Sequence, residues 1–221
     1  MEENRPTLAV IGGTGKQGRG LAYRWARAGY QVYVGSREAA RARETAAAIR
    51  ARLADRAADV HGLDNLSAAR QADVVVLSVP YAAHRATLET LRPALQGKIL
   101  VDVTVPLRPP RVSRVWLPPH GSAALEAQDL LGPDVAVVDA FQNIAADVLW
   151  QDAPVEADVL VAGRGKANRH RVMALVEAAG FRAWDAGPLE NTVAVEALTS
   201  VLIYMNKAYH AAHLGVRVVG R

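Results

Sequence analysis

Thr7-Leu8-Ala9-Val10-Ile11-Gly12-Gly13-Thr14-Gly15-Lys16-Gln17-Gly18 runs from a short apolar stretch into glycines and then into a helical pattern. Residues 13–18 spell Gly-x-Gly-x-x-Gly. That spelling alone is common. Its place between an apolar strand and a helix makes it a pyrophosphate cradle. Small residues let the backbone turn sharply and approach a ligand, and the helix N-terminus presents unpaired N–H groups to an anion. A Walker loop is excluded, because Gln17 follows Lys16 and residue 10 is Val. The helix reads as 18–28, with Leu21, Trp25 and Ala28 on one face and Gly29 as its stop.

Outward from this unit, strands and helices alternate. Gln31–Val34 reads as the second strand and 38–53 as a long Ala/Arg helix. Segment 54–73 carries no assigned element. Val74–Val79 is a continuous apolar run, as a strand covered on both faces requires, and Pro80 ends it. A helix to about Leu95 and the strand Ile99–Val103 follow. Leu107–Pro119 holds Pro109, Pro110, Pro118 and Pro119 with Arg108, Arg111 and Arg114, and reads as a loop. Ser122–Leu131 is a helix with Ser122 as cap, and Val135–Val138 a strand. Two strand–helix pairs follow: 159–162 with 166–179, and 182–186 with a helix from about Leu189 to Ala212. Val216–Val219 reads as a closing strand. The fold class is α/β: a Rossmann-type, doubly wound, mostly parallel sheet over residues 1–143, with a smaller helix-dominated C-terminal domain over 144–221.

Composition agrees. Of 221 residues, 51% are hydrophobic and 5% aromatic, so the core is built from Ala, Val, Leu and Ile. The absence of cysteine excludes disulfides, thiolate metal sites and a cysteine nucleophile. The first ten residues lack an apolar signal core, and no run approaches the roughly 18 apolar residues that cross a bilayer. The expectation is a cytoplasmic protein with no membrane partner. Net charge is +4. The basic stretch Arg37–Arg56 is interleaved with Glu38, Glu44 and Asp55 and has no aromatic residues for base stacking. It reads as a solvated helix face, and no nucleic-acid partner is expected.

The end of the second strand selects the cofactor. An NAD enzyme places Asp or Glu there to hold the ribose 2′-hydroxyl. This chain has Gly35-Ser36-Arg37, with Arg41 one helical turn later. Ser and Arg bind a 2′-phosphate that a carboxylate would repel. At about 1.5–3 kcal/mol for each charged hydrogen bond, two contacts give on the order of a hundredfold preference for NADP(H). Ser36 also suits the cap of the following helix. Val79-Pro80-Tyr81 and Val105-Pro106-Leu107 stand at the carboxyl ends of the next strands, where ligands of open α/β sheets bind.

Other chemistry is sparse. His210 and His213 lie near a helix end without a carboxylate to complete a metal site, and no metal is expected. Lys207 reads as a solvated lysine at a helix C-terminus or as a general acid. The last helix carries two apolar stripes, one of Val195, Leu198, Leu202, Met205 and Tyr209 and one of Ala194, Ala197, Val201, Tyr204 and Ala208. A helix apolar on most sides lies in a core or across a subunit interface.

The chain resembles the NADPH-dependent reductases of coenzyme F420, also called F420-dependent NADP oxidoreductases. The resemblance runs through Val10–Gly15, Gly35-Ser36-Arg37, Val105-Pro106-Leu107, Asp158–Val161, Asp185-Ala186-Gly187-Pro188-Leu189, Glu196-Ala197-Leu198-Thr199 and Leu214-Gly215-Val216-Arg217. It implies hydride exchange between nicotinamide C4 and deazaflavin C5, a two-domain fold and a homodimer. Cofactor contacts are then expected from Gly13, Thr14, Gly15, Lys16, Gln17, Gly18, Ser36, Arg37, Arg41, Val79, Pro80, Tyr81, Val105 and Leu107. A deazaflavin pocket is expected from Gln142, Asn143, Ile144 and Leu214. Gln142 stands where the family commonly has histidine. It hydrogen-bonds a ring atom but cannot become a cation. Gln142 and Asn143 are the candidates for steadying charge on the reduced ring. An NADPH-dependent reductase of an imine, carbonyl or other acceptor, and a non-enzymatic NADPH sensor, remain as alternatives.

Overall fold

The computed structural model describes residues 5–54 and 58–220. Asp55 and Arg56, which close the basic stretch, and Met1–Asn4 of the N-terminus lie outside them. The chain runs β1 (Leu8–Ile11), α1 (Lys16–Arg27), β2 (Val32–Ser36), α2 (Ala39–Arg52), β3 (Val60–Asp64), α3 (Asn65–Gln71), β4 (Val74–Leu77) and α4 (Tyr81–Leu95). It continues with β5 (Ile99–Asp102), α5 (Ala123–Leu131), β6 (Ala136–Asp139), α6 (Ala146–Leu149), β7 (Asp158–Gly163), α7 (Lys166–Ala178), β8 (Arg182–Gly187) and α8 (Thr192–Ala208).

One eight-stranded sheet forms, in the order β3-β2-β1-β4-β5-β6-β7-β8. All neighbours are parallel except β6 and β7. Alternate residues of the central strands feed a hydrophobic cluster on each face. Leu8 and Val10 join Trp25, Ala42, Ile49 and Val172 on one side, and Ala9 and Ile11 join Leu88, Leu91 and Ala127 on the other. Burial on both faces is why β1 and β4 read as unbroken apolar runs. α1 stops where Gly29 adopts φ +83°, as its position implied.

Segment 54–73 holds β3 and α3. The strand Val60-His61-Gly62-Leu63-Asp64 mixes apolar and polar residues because it is a sheet edge. Gly62 is required there: a Cβ would lie 2.2 Å from the Ala42 carbonyl carbon, so its absence lets α2 lie on the strand. Asp64 then caps α3 by accepting from Ser67 N at 2.9 Å.

Beyond residue 143 the chain is largely helical, yet β7 and β8 continue the same sheet across that point. The last helix ends at Ala208, short of Ala212. In place of a closing strand, Val216 makes a single antiparallel bridge to Asp158. Among the described residues, no helix is long and apolar enough to cross a membrane.

Candidate functional site

Strands β1, β4, β5 and β6 point the same way, so their carboxyl ends share one edge. The glycine turn sits there. Gly12 has φ +73°, and a Cβ on it would stand 2.3 Å from Ser78 O. On Gly13 a Cβ would meet Val10 O at 2.7 Å, and on Gly18 it would meet Gly12 O at 2.8 Å. Gly15, the N-cap of α1, has open space on its Cβ side, with one atom at 3.4 Å. Three glycines therefore shape the turn and the fourth leaves room at the helix N-terminus, the arrangement an incoming phosphate needs. Gly12 carries the sharpest demand although it stands outside the Gly-x-Gly-x-x-Gly spelling. The double glycine after an apolar strand was its signal.

A cavity of about 250 Å³ opens beside the turn, lined by Thr14, Gly15, Ser36, Arg37, Arg41, Val79 and Pro80 among others. Seven expected cofactor residues from four segments thus meet in one space. Asn65, Ser78, Ala83 and Thr87 also line it. Sequence reasoning missed these four, because no motif marks them. Ser36 accepts from Glu38 N at 3.2 Å, so it does tie down the start of α2. Arg41 meets Glu38 at 3.7 Å, and Arg37 is exposed.

Other expected cofactor residues do not line this cavity. Lys16 reaches Asp147 at 3.3 Å. Gln17 donates through Nε2 to Phe141 O at 3.3 Å. Tyr81 donates to Glu126 at 2.8 Å and helps line a separate cavity. Burial, then the hydrogen bond to Glu126, holds its hydroxyl well above the usual tyrosine range. Val105 and Leu107 are half-buried in the segment after β5, where Leu107 N donates to Val105 O at 2.8 Å.

The turn after β6 is strained. Phe141, a non-glycine residue, has φ +72° and is buried edge-on against Trp25 and Phe181. Gln142, Asn143 and Ile144 follow it into the interior. Gln142 donates from Nε2 to Asp102 O at 2.7 Å. Asn143 donates from Nδ2 to Val195 O at 3.1 Å and to Thr199 Oγ1 at 3.0 Å. Thr199 in turn donates to Gln142 O at 3.0 Å. Leu214 donates its N–H to Asn206 at 3.1 Å, and the adjoining Gly215 stands against Asn143 O. The structure therefore gathers residues 142–144 and 214 into one neighbourhood, with both amide nitrogens engaged by the protein. Lys207 is exposed at the end of α8.

Behind this turn lies a group of acids. Asp102 and Asp139 are register partners on β5 and β6 and are wholly buried. His84 Nε2 lies 2.6 Å from Asp102. Burial alone would lower the pKa of His84, but the Asp102 carboxylate outweighs it and holds the imidazole above its ordinary value. Glu196 accepts from Ala123 N at 2.7 Å and Ala124 N at 3.0 Å, so it caps α5 from a distant helix. Both Asp139 oxygens and Gln142 Oε1 are fully buried, and the Asp139 carboxyl interacts with the Glu196 and Gln142 side chains. Burial, reinforced by Glu196 and Asp102, drives the Asp139 pKa far up.

Comparison with known proteins places these features in context. Residues 7–106 match the family model described as NADP oxidoreductase coenzyme F420-dependent. The chain is 39% identical to the F420-dependent NADP reductase of Methanocaldococcus jannaschii, over 96% of this chain and 97% of that protein. It is 38% identical to the protein of the same name from Methanothermobacter thermautotrophicus, over 96% and 94% respectively. In structure it superposes with TM-score 0.81 on a putative F420-dependent NADP reductase from Arthrobacter sp. FB24, at 25% identity, covering 97% of this chain and all of that one.

Proposed function

Because the chain belongs to the family of coenzyme F420-dependent NADP oxidoreductases, we propose that it exchanges a hydride between NADP(H) and the deazaflavin coenzyme F420. The observation that carries this reading is the hydrogen bond from Gln17 to Phe141 O. It fastens the phosphate turn to the strained 141–144 turn, so two binding elements share one rigid edge. The coenzymes supply the chemistry, with hydride passing between nicotinamide C4 and deazaflavin C5. The chain supplies positioning, which contributes roughly 7–11 kcal/mol when two reactants are well oriented.

In this reading Gly13–Gly18 and the α1 N-terminus hold the pyrophosphate. Ser36, Arg37 and Arg41 hold the 2′-phosphate, and Val79, Pro80, Tyr81, Val105 and Leu107 flank the ribose and nicotinamide. Residues 1–143 form the NADP unit and 144–221 the acceptor and dimer unit. Gln142, Asn143, Ile144 and Leu214 border the acceptor. In this reading the protein works in the cytoplasm.

NADPH should bleach oxidised F420 in the presence of enzyme, and NADP should restore its absorbance from the reduced form. Arg37→Ala should weaken NADPH binding about tenfold or more, about 1.4 kcal/mol, and leave NADH binding nearly unchanged. Gln142→Ala should lower turnover more than NADPH affinity, and Gln142→His should keep or raise it. Tight NADPH binding without F420 turnover in either direction would redirect the reading to another acceptor.

The same reading includes a homodimer through α8. Val195 and Leu202 are buried, whereas Val201, Tyr204, Met205 and Tyr209 are exposed, Tyr204 by 60% and Tyr209 by 73%. Large apolar side chains left in water along one helix suit an isologous contact with a second copy. Sedimentation at low micromolar concentration should report a dimer that Tyr204→Glu dissociates. A fully active wild-type monomer would refute the assembly.

A further inference from the structure

Arg108, Arg111 and Arg114 follow β5 on a proline-rich loop. Arg111 N donates to Arg108 O at 2.9 Å and Arg114 N to Arg111 O at 3.1 Å. These successive turns bring all three arginines to the wall of one open cavity of about 530 Å³, with Pro109, Pro110 and Trp116. All three are exposed, and none meets a carboxylate among the described residues. Some other arginines of the fold are matched: Arg27 and Arg52 converge on Asp152, and Arg169 pairs with Asp185. Three like charges within seven residues repel one another, and no carboxylate among the described residues neutralises their guanidinium groups. A ligand of opposite charge relieves that repulsion.

The position of the loop narrows the choice of ligand. The cofactor cavity is lined by residues from the ends of β1, β2 and β4 and from the helices that follow, and shares none with the arginine cavity. The phosphates of NADP(H) therefore have their own cations in Arg37 and Arg41. In the order β2-β1-β4-β5 the arginine loop lies on the far side of the sheet centre from those two. It is nevertheless joined to the cofactor edge. Trp116 packs edge-on against Tyr81 with ring centroids 5.8 Å apart, and Arg108 lies 5.7 Å over Trp116. Tyr81 directly follows Pro80, which lines the cofactor cavity.

We propose that Arg108, Arg111 and Arg114 form a dock for an extended anionic tail, bearing phosphate and carboxylate groups, on the second substrate. Guanidinium groups suit both anions because each presents a planar fork of donors. The proposal rests on the F420 reading, since that coenzyme carries a phosphate and a glutamate tail. It adds that tail recognition sits on this loop, apart from the ring pocket.

The test compares complete F420 with its tail-free deazaflavin analogue, using wild type and the combined variant Arg108→Gln, Arg111→Gln, Arg114→Gln. The variant should raise KM for F420 about tenfold or more, keep kcat within about twofold, and leave KM for the analogue and for NADPH unchanged. Raising salt should weaken F420 but not the analogue in wild type. An unchanged KM for F420, or equal losses for F420 and analogue, overturns the dock. A loss confined to NADPH reassigns the arginines to the cofactor. Should wild type turn over neither deazaflavin, the F420 reading itself fails. Fluorescence titration then decides the dock separately: binding of F420 no tighter than that of the analogue overturns it too. An unchanged thermal melt confirms that the variant is folded.

Discussion

Gly12→Ala is expected to weaken NADP(H) binding by about a hundredfold, on the order of 2.7 kcal/mol. Two costs combine. Gly12 has φ +73°, a conformation that costs an L-residue roughly 1–2 kcal/mol. Its new Cβ would stand 2.3 Å from Ser78 O and 2.9 Å from Val79 Cγ1. Ser78 is backbone at the end of β4 and is itself held by Ser78 N→Ile11 O at 2.9 Å, so it yields only by moving the strand end. Ser78 and Val79 both line the cofactor cavity, so the displacement falls on the ligand's seat. Gly97 separates the two costs. It has φ +74° with nothing within 4 Å of the added Cβ, so Gly97→Ala should lower stability modestly and leave NADPH affinity intact. Gly15→Ala should do the reverse, because its Cβ meets open space at the helix N-terminus. Calorimetric titration and thermal melts of the three variants check this. Affinity of the Gly12 variant within threefold of wild type would overturn the account.

Glu196→Ala should destabilise the fold by about 3–5 kcal/mol, lowering Tm by about 10 °C in a chain of this size. Glu196 is 1% exposed and holds two backbone N–H groups at the start of α5. Removing it leaves those donors without their partner, opens a cavity and strips Asp139 of its neighbour. Ser122, which accepts from Leu125 N at 3.1 Å, keeps one cap in place, so the helix should survive with a weakened end.

A pH dependence follows from the same carboxyl pair. Burial pushes the Glu196 pKa up to about 8 against the pull of its two backbone donors. One proton on Asp139 would also give that buried carboxyl something to donate. A folded pKa above the unfolded value means that the folded state holds the proton more tightly. The stabilisation is therefore complete in acid, below the ordinary glutamate range, and is lost as pH rises through about 8. His84, also raised, acts in the same direction. Tm should be lower at pH 9 than at pH 6.5. Asp139→Asn, which keeps a donor without a charge, should shrink that loss. An equal loss in wild type and Asp139→Asn would show that the pair is not its source.

How legible was all this? The apolar runs of β1 and β4, the glycine turn, Gly29 as a stop and Ser36-Arg37 at the end of β2 were read from contiguous residues. Each reflects a demand on a few neighbouring backbones: burial on both faces, a sharp turn, a cap, a charge at a strand end. Such demands are written locally, so sequence alone determined the dinucleotide-binding α/β architecture and seven of the residues that line the cavity beside its glycine turn. The edge strand β3 escaped because one open side removes the apolar signal. The antiparallel joining of β7 to β6, and thus a sheet continuing past residue 143, is set by chain direction after α6, which no periodicity records. The inward amides of Gln142 and Asn143 depend on Asp102, Val195 and Thr199. The cap on α5 comes from Glu196, 73 residues beyond Ala123. A lone buried polar residue looks the same in sequence whatever its partner. Only the tertiary structure brings the two ends of such a pair together, because desolvation makes each buried polar group seek a partner regardless of distance along the chain.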